Sequence, residues 1–72
     1  MKTHKAWIGR WRVTFKFDTL TPHEGVHCSW EPGVPEPSAL TKKERRRYLA
    51  ARHKFLTDVA KEMGTDVLVV DL

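Results

Sequence analysis

Cysteine is nearly absent: Cys28 stands alone in 72 residues, so no internal disulfide can form. A reducing, cytoplasmic setting is therefore expected, without the covalent staple of many small secreted domains. Long apolar runs are also missing. The longest, Val67-Leu68-Val69-Val70, is far too short to cross a bilayer, and no membrane partner is expected. The basic start, Met1-Lys2-Thr3-His4-Lys5, runs into Gly9, Arg10 and Arg12 instead of an apolar segment, so no secretory signal is expected. The four glycines are scattered and match no phosphate-cradling loop. The nine acids are scattered too, and none are paired for acid–base catalysis. At this length the chain is one domain, 1–72, burying only about 60% of the surface its unfolded form exposes. A core and a deep cleft compete for that little volume. No enzyme, no catalytic residue and no cofactor are expected.

Segments with regular patterning do occur. Trp11-Arg12-Val13-Thr14-Phe15-Lys16-Phe17-Asp18 alternates apolar and polar without a break. With Trp7 added, the odd positions form an apolar face, and Arg10, Arg12, Thr14 and Lys16 form a polar, basic one. This predicts a first strand over about 6–18. Pro22 and Gly25 mark a turn, after which Val26, Cys28 and Trp30 alternate with His27 and Ser29 in a short second strand. Residues 31–37 hold three prolines and predict a stiff linker between hairpin and helix. Thr41 with Glu44 three residues on is a capping-box pattern, with Ser38 a competing cap, and Gly64 suits a C′ position. A helix over 41–63 follows. The β-branched run from Val67 predicts a third strand. The expected fold is α+β, ββαβ, with a three-stranded sheet in order 2-1-3, one helix on one face and a right-handed crossover. The other face is left bare and open to a partner or a second copy, giving a monomer or weak dimer.

Projected at 100° per residue, the helix gathers Tyr48, Leu49, Phe55, Leu56, Val59, Ala60 and Met63 into one apolar stripe. Arg52 falls inside that stripe, either snorkelling or pairing with Glu24, Glu31 or Asp71. The net charge of +4 conceals an uneven distribution. Residues 42–54 carry seven Lys/Arg against one Glu, whereas 55–72 carry one Lys against four acids. A helix dipole prefers the reverse order, by roughly 0.3–1 kcal/mol per terminal charge. A bound anionic partner accounts for the inversion, and a solvated face screened by salt is the plain alternative.

His23, Glu24, His27 and Cys28 are the one cluster of metal-ligand types. On a strand His27 and Cys28 point to opposite faces, and no second ligand pair follows unless His4 or His53 joins, so no metal site is expected. The alternation turns the Cys28 thiol inward beside Val26 and Trp30, which disfavours a nucleophilic role.

Two basic surfaces are thus expected to face in different directions: one with Arg10, Arg12 and Lys16, one with Lys42, Lys43, Arg46, Arg47 and Lys54. The aromatics Trp7, Trp11, Phe15 and Phe17 are expected in the core, not as stacking platforms. Arginine and tyrosine anchor many protein interfaces, which adds Tyr48 to the candidate partner-binding set. A basic chain of this size, with Lys42-Lys43-Glu44-Arg45-Arg46-Arg47-Tyr48 and no catalytic set, resembles the small phage-encoded regulators that bind host RNA polymerase. The resemblance implies a non-enzymatic protein in the host cytoplasm. It would dock on an acidic surface of a complex such as RNA polymerase and modulate initiation or termination by occupying a site. Direct binding of DNA or RNA phosphates through the basic helix 42–54 is the main alternative, and an anti-defence role of the anti-CRISPR kind is a further one.

Overall fold

A computed structural model describes residues 1–66. Three antiparallel strands, β1 (Lys2–Ile8), β2 (Trp11–Phe17) and β3 (His27–Glu31), form a sheet in sequential order β1-β2-β3. A single long helix, α1 (Lys42–Met63), covers one face and packs chiefly on β1 and β2. The class is α+β, as the alternation and the capping signals predict.

The sheet order differs from the expected one for a local reason. The alternation from Trp7 to Phe17 is interrupted by a two-residue turn, Gly9-Arg10, so one expected strand is two. Gly9 sits at φ +62°, a left-handed conformation that glycine adopts without strain, and a Cβ there would collide with the Glu44 carboxylate. β1 then pairs along the whole of β2, with Ile8 opposite Trp11 and Lys2 opposite Phe17. The place beside the central strand, assigned by the 2-1-3 order to a C-terminal strand, is held by residues 2–8. The expected strand over 67–70 lies outside the described residues.

The turn also reverses the parity of inward positions. Paired residues share a face, so Ile8, Ala6 and His4 join Trp11, Val13, Phe15 and Phe17 under the helix. Trp7 joins Arg12 on the opposite face. Its expected place in the core is therefore corrected: Trp7 is 63% exposed, while Val13, Phe15 and Phe17 are fully buried.

The helix begins and ends where its signals stand. The Thr41 backbone N–H donates to Glu44 Oε1 at 2.9 Å, and the Glu44 N–H donates to Thr41 Oγ1 at 3.1 Å. Gly64 closes the helix at φ +68°, its N–H bonded to the carbonyls of Ala60 and Lys61. Phe55, Leu56, Val59 and Ala60 seal the core against Ile8, Val13, Phe15 and Phe17. Leu49, expected in the same stripe, is 60% exposed. It lies at the margin of the stripe, and Ala51 packs against the core in its stead. Met63, at the far end, is 37% exposed. His4 stands between Phe15 and Phe55, its ring centroid 6.5 and 6.4 Å from theirs. Lys2, the other polar inward residue of β1, bridges to Glu62 at the end of the helix.

Candidate functional site

The face of the sheet away from the helix is ordered in three cross-strand rows. Thr3, Lys16 and His27 form one, Lys5, Thr14 and Ser29 the second, and Trp7, Arg12 and Glu31 the third. Strand pairing fixes each row, because residues directly opposite one another lie about 4.5–5.5 Å apart at Cβ. The face is therefore basic along β1 and β2, with a large aromatic ring at one end.

The third row has the most specific geometry. Arg12 Nη2 donates to Glu31 Oε2 at 2.8 Å, and the Arg12 guanidinium carbon lies 5.9 Å from the centroid of the Trp7 ring. Its Nε is buried and lacks a hydrogen-bond partner. Arg10, on the β1–β2 turn, lies over the Trp11 ring at 4.7 Å. Trp7, Arg10, Arg12, Glu31 and Pro32 together line an open notch of about 340 Å³.

Arg10 also reaches toward the helix start. Glu44 is held below the ordinary carboxylate range, first by the backbone N–H of Thr41, and further by its hydroxyl and the positive charges of Arg47 and Arg10. The turn thus adjoins the first helical turns. Arg10 on the turn and Arg47 on the helix both act on the Glu44 carboxylate, so these two members of the sheet and helix sets stand near one another.

Of the other expected contact residues, Lys42, Lys43, Arg46, Arg47 and Lys54 are exposed on α1. Tyr48 is turned inward. Its ring lies 5.7 Å from Phe15 and 5.2 Å from Trp30, and its hydroxyl meets Cys28 Sγ at 3.5 Å. Burial, with the Cys28 contact adding to it, pushes the phenol up to about 12. Cys28 is on the helix side of β3, as the alternation predicts, but it is exposed rather than enclosed. The helix lies over β1 and β2, leaving this edge strand thinly covered. Arg52 is half-buried, close enough to Tyr48 for its charge to act on the phenol. Among the pairing candidates for Arg52, Glu31 is engaged by Arg12, Glu24 accepts from Thr21, and Asp71 lies outside the described residues.

His27 and Cys28 point to opposite faces of β3. Among the described residues, no three of His, Cys, Asp and Glu gather as a metal-ligand group. No helix among them is long and apolar enough to cross a membrane.

Thr3, Lys5, Trp7 and Glu31 are members of the open face that sequence patterning did not place there. The available signal was Gly9 between two alternating stretches, since a glycine inside a strand pattern marks a turn or bulge. Compared with known proteins, the chain matches no family model, no curated protein and no solved structure.

Proposed function

We propose that the protein is a non-enzymatic nucleic-acid-binding regulator that engages its target through the open face of the sheet. The observation that carries this is Trp7, an exposed indole in register with Arg12 on a face that also holds Lys5 and Lys16. An aromatic ring among cations is the combination that single strands exploit. Phosphates follow the positive groove and a base stacks on the ring, at about 1–3 kcal/mol per stacked base. A core aromatic could not serve in this way. The exposure of Trp7 supports this reading, since the sequence pattern alone places its ring in the core. The shared action of Arg10 and Arg47 on Glu44 supports it as well, because the expected separation of sheet and helix charge is smaller at that corner.

A salt series tests it. Affinity for a labelled single strand, measured by fluorescence anisotropy, should fall linearly in log–log form. A face engaging about four phosphates gives a slope of about −3. No binding at low salt would sink the proposal.

One observation favours a second reading, in which the helix docks on an acidic protein surface such as that of RNA polymerase. Leu49 is an exposed leucine flanked at helical spacing by Arg45 and Arg46 on one side and Arg52 and His53 on the other. An apolar residue among three arginines suits a protein contact better than a phosphate backbone. A tagged pull-down compared between wild type and Leu49→Asp separates the two. Loss of a stoichiometric partner with oligonucleotide affinity retained would favour the helix.

A further inference from the structure

Resting on the nucleic-acid proposal above, we infer that the notch beside Trp7 accepts a single guanine base from an unpaired strand of RNA or DNA. The anomaly that points there is Glu31. A carboxylate at the end of a basic face repels phosphates and weakens plain tracking of the backbone. It is nevertheless held in place by Arg12 at 2.8 Å, through one oxygen only. Its side chain is 60% exposed, which leaves Oε1 to accept from a ligand.

The notch therefore offers a flat apolar ring, a carboxylate acceptor and two guanidinium groups within one small volume. At about 340 Å³ it lies at the low end of small-ligand sites. Guanine matches that set. Its N1–H and N2–H lie side by side and can donate to one carboxylate, while O6 and N7 accept from Arg10 or Arg12. Adenine and cytosine each turn a ring nitrogen lone pair toward the carboxylate beside their amino group. Uracil and thymine offer one N–H flanked by two carbonyl oxygens. Each of these places an acceptor against an acceptor.

The same chemistry selects an unpaired strand. In a duplex the Watson–Crick edge is occupied and the base faces are stacked on their neighbours, so neither Trp7 nor Glu31 could be used. A loop or free strand presents both.

The test uses the full chain and labelled eight-nucleotide strands with one central base varied on a fixed pyrimidine background. The set is made as RNA and as DNA, with a duplex of the guanine sequence alongside. Anisotropy should show the guanine strand binding about tenfold tighter than the other three, in at least one of the two sets. Glu31→Gln should reduce that preference to about twofold or less, and should raise the affinity of the strands lacking guanine, because a negative charge leaves the face. Misfolding would lower every affinity together, so this crossing pattern separates recognition from structure. Equal binding of the four strands in both sets overturns the guanine site and leaves the nucleic-acid function standing. So does a preference that survives Glu31→Gln, or tighter binding of the duplex. Absence of binding to every strand at low salt overturns the underlying function itself.

Discussion

Trp7 and Arg12 stand directly opposite one another across the β1–β2 hairpin, on the sheet face that the helix leaves uncovered. The guanidinium lies 5.9 Å from the indole centroid, within reach of a cation–π contact. On the proposed function, a ligand meets the indole beside a charge already placed against it. Pre-organisation of this kind lowers the ordering cost of binding.

Trp7 and Trp11 should therefore respond to substitution in opposite ways. Trp7→Ala removes a 63% exposed ring and should leave the melting temperature within a few degrees of wild type. It should weaken single-strand binding by about tenfold, the loss of one stacked base. Trp11 is only 9% exposed, and Trp11→Ala should cost about 3 kcal/mol or more of stability. Paired thermal melts and anisotropy titrations check both. A large stability loss at Trp7 would return that ring to the core.

Phe15 has the densest aromatic surroundings in the core. It is fully buried and lies within 5.7–6.5 Å, centroid to centroid, of His4, Tyr48 and Phe55. Phe15→Ala should cost about 3–5 kcal/mol, most of the stability of a domain this small. Urea unfolding followed by circular dichroism should show either a sharply lowered midpoint or no native baseline. A midpoint close to wild type would mean that the helix does not close on the sheet as described.

Glu44 links helix capping to the β1–β2 turn, and this link is testable by pH. Its folded-state pKa is depressed, so its contribution is present above the unfolded value near 4.5 and is lost as pH falls below it. Replacing it by Gln removes that dependence. The stability difference between wild type and Glu44→Gln should shrink as pH is lowered from neutrality through the carboxylate range. Denaturant melts at several pH values measure it, and a difference constant with pH would remove the role assigned to the charged form.

The parts legible in sequence were those with strong local signals. Thr41, Glu44 and Gly64 delimit the helix by hydrogen-bonding groups fixed in the chain, and the structure uses all three. The inward row of β2 was equally plain, because every second residue is large and apolar. β1 was obscure for a physical reason: two of its inward positions are Lys2 and His4, one paired with Glu62 and the other held between two phenylalanines. Tertiary partners, not hydropathy, make those positions inward. The site suffered most from this. Trp7, Gly9 and Trp11 are all odd-numbered, so an unbroken strand and a hairpin turning at Gly9-Arg10 give the same apolar spacing. Only the turn decides on which face Trp7 falls. Arg10, Arg12 and Lys16 could be recognised as basic surface residues, but their company with Trp7 and Glu31 depends on strand register.

Tyr48 yields the remaining prediction, which concerns alkaline pH. Burial raises its folded-state pKa to about 12, above its ordinary value of 10.0. Between those values the unfolded chain loses the phenolic proton and the native chain keeps it. The native state therefore binds more protons, and stability falls as pH rises through that window. It is fully present below pH 10.0, in the range where the unfolded phenol is also neutral. Tyr48 is the only tyrosine in the chain, so its ultraviolet ionisation can be followed without overlap from another phenol. Native protein should titrate near 12 and denatured protein near 10.0. Tyr48→Phe should flatten the alkaline loss of stability while keeping the ring packed on Phe15 and Trp30. A native phenol that ionises at the denatured value would mean that Tyr48 faces water, and that the sheet and helix are further apart along β3 than the contact with Cys28 requires.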